Sequence, residues 1–188
     1  MEVDTNYVAF ARARQIALGP LSDVLAALKQ RFDRDDTELV LVFEVESGRQ
    51  VDFDLRGSLE EVLARALPTA ARGPGRPKLG VASREVSLFP KHWEWLETQP
   101  AGISGTLRRL VEHAIKHEPA EARAKQARSA LSRILSSIAG NRPHYEEASR
   151  ALFSGDDKKF AELVADWPKD IRQFAIERVR AASDLLDA

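Results

Sequence analysis

Over residues 7–18 and 38–55 the apolar positions alternate with polar ones or run together over short stretches, the period of strands. Beyond residue 89 they recur every three or four residues, the period of helices. Residues 7–10 (YVAF) and 15–18 (QIAL) are two short apolar runs joined by Ala11-Arg12-Ala13-Arg14. They predict a hairpin, which Gly19-Pro20 ends. Ser22 is a candidate helix cap, followed by Val24, Leu25, Leu28 and Phe32 at helical spacing. Residues 33–36 form a polar loop, and residues 38–45 (ELVLVFEV) are the most strand-like run in the chain. Ser47-Gly48 turns that run, and residues 49–55 return with Val51, Phe53 and Leu55 alternating against Asp52 and Asp54. Ser58 and Glu61 have the spacing of a capping box for a short helix reaching Leu67. The predicted order is ββαββα, an α+β unit over residues 1–67 with a small, mostly antiparallel sheet.

Residues 68–80 (PTAARGPGRPKLG) are rich in glycine and proline and read as a basic linker. A third unit follows over residues 81–117. Val86 and Leu88 point to one face of a short strand, Glu85 and Ser87 to the other. Pro90 opens a helix whose apolar face is Phe89, Trp93 and Leu96; Trp95 cannot share that face and is expected to meet another part of the chain or a partner protomer. Pro100-Ala101-Gly102 stops it, and Ser104 is a candidate cap for a second helix. Ile103, Leu107, Leu110, Val111 and Ala114 form one stripe on that helix. Residues 118–188 predict a helical bundle. A long helix from Pro119 to residue 139 buries Ala124, Ala127, Leu131, Ile134, Leu135 and Ile138, with Arg123, Lys125, Arg128 and Arg133 opposite. Three shorter helices follow, opened by Pro143, Asp156 and Trp167-Pro168, and the last turns Leu186 inward.

Composition narrows the function classes. The 188 residues contain no cysteine, so disulfides, thiolate metal sites and cysteine nucleophiles are excluded. No apolar run suits a signal peptide or a membrane span, and a soluble cytoplasmic protein is expected. The net charge of −1 is unevenly spread: residues 1–68 carry −5, residues 69–128 carry +5 and residues 129–188 carry −1. The positive charge gathers around the short strand and its two helices, the distribution a nucleic-acid site needs. A solvated basic surface is the plainer reading of the same charge.

Candidate chemistry is sparse. Asp52 and Asp54 are paired on one strand face and have the chemistry for a cation or for proton transfer, but the wet side of a half-exposed sheet accounts for them better. His113 and His117 are four apart on a helix, a metal-ligand spacing. The metalloprotease pattern requires Glu after the first His, where Ala114 stands, so surface polar residues are preferred. No nucleophile set, phosphate loop or metal cluster is readable, and neither an enzyme nor a cofactor is expected.

The strand, helix, turn and helix of residues 83–117 resemble the ribbon-helix-helix DNA-binding fold. The resemblance implies that two copies pair their strands as an antiparallel ribbon entering the major groove. It implies groove contacts by Ser83, Glu85 and Ser87, with Arg84 nearby, and a backbone phosphate at Gly102-Ile103-Ser104. Lys91 and the linker cations Arg72, Arg76 and Lys78 would add charge. The dimer core would be Val86, Leu88, Trp93, Leu96, Leu107, Leu110 and Val111. Gly75-Arg76-Pro77 resembles part of an AT-hook, although a plain linker is preferred. Glu85 departs from the pattern, since a carboxylate near phosphates is a cost unless it accepts from cytosine N4.

Over the whole chain, the Gly48-to-Asp52 turn, the Arg56-Gly57-Ser58 cap, the helix from Lys91 to Leu96 and the start from Trp167 to Arg172 resemble an uncharacterised bacterial family of unknown function. The expected protein is therefore a homodimeric regulator of transcription that binds double-stranded DNA, with residues 1–67 sensing a ligand, tuning the oligomeric state or holding a protein partner. The alternative is a non-enzymatic interaction or scaffold module in which ribbon and helices only dimerise.

Overall fold

A computed structural model describes residues 5–36, 38–67 and 84–187. Contacts divide the chain into one unit of Met1–Thr69 with Ala120–Ala188 and a second of Ala70–Pro119. The fold is α+β and mostly helical, with a four-stranded antiparallel sheet and eight helices among the described residues. No helix is long and apolar enough to cross a membrane among them.

In the first unit, β1 (Asn6–Ala11) and β2 (Arg14–Pro20) form the hairpin, with a register shift between Ala9 and Phe10. α1 (Leu21–Phe32) follows, then β3 (Val40–Glu44) and β4 (Gln50–Val51). The spatial order is β2-β1-β3-β4, which puts the two most apolar strands in the centre. Each central strand is buried on both faces. Val8 and Phe10 on β1, with Phe43 on β3 and Val45 just beyond it, enter one cluster; Ala9 and Val42 enter another, with Val24 and Leu28 of α1. Continuous rather than alternating apolar runs are what two-sided burial demands.

The first of those clusters is completed by the C-terminal helices. α5 (Ala120–Ala139) contributes Leu131, Ile134, Leu135 and Ile138, and α8 (Lys169–Asp184) contributes Ile171, Phe174 and Val179. α6 (Tyr145–Ser154) and α7 (Asp157–Leu163) add Leu152 and Phe160. Phe10 meets Phe174 edge-on with ring centres 5.5 Å apart. Asp170 accepts the Gln15 N–H at 3.0 Å, tying α8 to β2. The segments read from sequence as an N-terminal unit and a separate bundle thus share one core.

Several local expectations need correction. Ser22 does not cap α1, because the helix begins one residue earlier, behind Pro20. β4 covers only two residues, although Val51, Phe53 and Leu55 remain half-buried and Asp52 and Asp54 exposed. Arg128, expected on a solvent face, is mostly buried: it donates to Ser183 Oγ at 2.8 Å and to Asp157 at 3.3 Å, joining α5 to α7 and α8. Leu186 is exposed rather than inward. The capping box at α2 (Leu59–Ala66) is formed by Ser58 and Glu61, and Asp156 caps α7 through the Lys159 N–H.

Candidate functional site

The second unit is where the charge and the resemblance point. Residues 84–89 form no regular secondary structure and pair with no strand; Arg84, Glu85, Val86 and Ser87 are exposed and Leu88 is half-buried. Phe89 then takes an extended conformation and Pro90 opens α3 (Pro90–Glu97), with the Phe89 carbonyl accepting from the His92 N–H at 2.8 Å. A short turn ends α3, where the Thr98 hydroxyl donates to the Trp95 carbonyl and the Gly102 N–H donates to the Gln99 carbonyl. Gly102 takes a positive φ of 66° and starts α4 (Gly102–Lys116). A residue with a Cβ would be strained there.

Ser104 is therefore not the cap. It lies inside the first turn, Ala101 holds the cap position, and no side chain bonds the helix start. Ser104 itself is exposed. Exposed amides and the helix dipole at such a start favour an anion.

Much of the expected dimer core is not buried by this chain. Leu96 is buried and Leu88, Trp93 and Leu107 are half-buried. Val86 is 60 % exposed, Leu110 47 % and Val111 55 %, so they stand largely in water. Phe89, Trp95 and Ile115 are also exposed. Leu88, His92, Trp95, Leu96, Leu107 and Leu110 line an open apolar groove of about 260 Å³. No sequence signal points to His92 in this groove; Trp95, expected to meet another part of the chain or a partner protomer, lines it while half exposed.

The cations of this surface are Arg84, Lys91, Arg108, Arg109 and Lys116, all exposed and with no ion pair among the described residues. Arg108 and Arg109 were not singled out in the sequence; they carry no motif. Arg72, Arg76, Lys78 and Ser83 lie outside the described residues.

The other candidates have local explanations. His113 and His117 stack with ring centres 4.0 Å apart, and His117 Nδ1 donates to the His113 carbonyl at 2.8 Å. Among the described residues no group of three or more metal-ligating side chains gathers anywhere. Asp54 is held by Arg56, whose Nε and Nη2 lie at 2.9 and 2.8 Å, and by the Arg56 N–H at 3.1 Å. The Arg56 side chain and then its backbone N–H hold the Asp54 carboxyl well below the usual carboxylate range. Asp52 has no share in that pair.

Residues 6–179 match the model of a family described as "Uncharacterized protein conserved in bacteria (DUF2239)", and the chain belongs to that family. Neither the curated proteins nor the solved structures give a match.

Proposed function

We propose that the chain is a dimeric DNA-binding protein, a regulator of transcription that presents a β-ribbon to the major groove. The observation that carries this reading is the uncovered apolar surface of residues 86–115. Val86, Phe89, Leu110, Val111 and Ile115 are exposed around a short segment that pairs with no strand among the described residues. A second copy satisfies both needs at once: antiparallel pairing of two such segments closes their edges, and the two helix pairs bury each other's apolar stripes. The outward side chains of the ribbon in this reading are Ser83, Glu85 and Ser87, with Arg84 nearby. Lys91, Arg108 and Arg109 add unpaired charge, and the uncapped start of α4 offers amides to a phosphate. Arg72, Arg76 and Lys78 extend the basic arm.

The exposed Glu85 favours a second reading, in which the same surface only assembles two chains into a scaffold. Fluorescence anisotropy with random and genomic duplexes at two salt concentrations, with the solution mass measured alongside, separates them. The regulator is expected to bind as a dimer with strong salt dependence. Arg84→Ala and Arg76→Ala should each weaken binding and flatten the slope of log K against log salt by roughly one phosphate's worth, about 0.9. A dimer with no DNA affinity at low salt leaves the scaffold. A monomer with none overturns the ribbon itself.

A further inference from the structure

The first unit holds a cavity of about 360 Å³ between the end of the sheet, α5 and the last turns of α8. Its wall is apolar, made chiefly by Val45, Leu131, Ile134 and Leu185. Two arginines line it, the exposed Arg123 from α5 and Arg178 from α8. Neither makes an ion pair among the described residues. Arg178 is half-buried, and its Nε is shielded from water with no acceptor among the described residues. Such an N–H is costly to leave unmade, and a fixed cation beside apolar surface is compensated best by an anion. Among the described residues Glu46 is the one acidic lining residue, and one of its oxygens accepts from the Asn6 N–H at 3.3 Å.

We propose that this pocket binds a small amphiphilic carboxylate, with its hydrocarbon against the apolar wall and its carboxylate between Arg123 and Arg178. The apolar cavity with a few convergent polar groups is the general form of a small-molecule site. A carboxylate is the anion whose two oxygens match the guanidinium fork. The net charge of the described lining residues is +1, from Arg123 and Arg178 against Glu46, so an amine of equal chain length is disfavoured. The site stands independently of DNA binding, because none of its lining residues belongs to the Ala70–Pro119 unit.

Isothermal titration calorimetry of the full chain with octanoate, octylamine and n-octanol tests this. Octanoate is expected to bind, n-octanol at least tenfold more weakly and octylamine not at all. Arg178→Gln should weaken octanoate at least tenfold, Arg123→Gln several-fold, and Glu46→Gln should tighten it. Ala181→Phe, at an exposed lining position, should block binding with an unchanged melting temperature. That variant keeps the test sound if loss of Arg178 disturbs the fold. Equal binding of octanoate and octylamine, no heat with millimolar octanoate, or full affinity in folded Ala181→Phe overturns the proposal.

Discussion

Asp54 and Arg56 show how two residues of a surface turn set a local pH dependence. The pair is exposed, so water screens it and its share of stability is small. Its sign is nevertheless definite. A carboxyl depressed in the folded state contributes fully above its unfolded value, about 3.9, and loses that contribution as the pH falls through the folded value. Asp54→Asn is therefore expected to lower the melting temperature slightly at neutral pH. The gap between the two proteins should close as the pH is taken below the ordinary carboxylate range. A gap that stays constant with pH would trace the effect to something other than ionisation. Gly48 carries a larger consequence. Its φ is +67°, and a Cβ there would collide with the Ala130 carbonyl of α5. Backbone cannot swing aside as a side chain can, so strain and overpacking add. Gly48→Ala should cost roughly 2–4 kcal/mol, read as a lower midpoint in urea at an unchanged slope.

At the scale of elements, the legible parts are those whose cause is local. The hairpin follows from two apolar runs, β3 from a continuous one, and α2 from Ser58 and Glu61 three residues apart. The bundle helices keep a 3.6-residue stripe, and Leu131, Ile134, Leu135, Phe174 and Val179 are buried where the period puts them. What could not be read depends on where the backbone enters an element or on distant partners. Ser22 and Ser104 are good caps by type, but Pro20 and Ala101 already hold the cap positions, so each serine falls inside the first turn. β4 stops after Val51, and a little further on the Arg56 N–H bonds the Asp54 side chain rather than a neighbouring strand. Arg128 sits among exposed cations in sequence, yet its partners are 29 and 55 residues away. The stripe on α4 was readable as apolar, but not its destination. Periodicity reports a face that seeks burial and is silent on whether this chain or another provides it. The Arg123–Arg178 cavity had no signal at all, since residues 45, 123 and 178 form no spacing motif.

At the scale of the molecule, the first unit is one core drawn from the two ends of the chain, and that makes the N-terminal segment dependent on the C-terminal one. Taken alone, residues 1–67 would expose Val8, Phe10, Phe43 and Val45, which now pack in one cluster with α5, α6 and α8. Full burial of an apolar side chain contributes roughly 1.5–3 kcal/mol, so four of them amount to about 6–12 kcal/mol. That is comparable with the whole stability of an ordinary domain, about 5–15 kcal/mol. The other cluster, on the α1 face, has Ala9, Val24, Leu28 and Val42 as its buried residues, too little apolar surface to make up the loss. A fragment of residues 1–67 is therefore expected to lack a cooperative transition in urea and to give collapsed amide dispersion by NMR. Adding a separate fragment of residues 120–188 should restore both, because the missing surface returns without the linker or the second unit. If the first fragment instead unfolds cooperatively on its own, the bundle-facing side of the sheet is dispensable and the two ends are separate domains. If complementation succeeds, any ligand held between Arg123 and Arg178 acts on the core that both ends of the chain share.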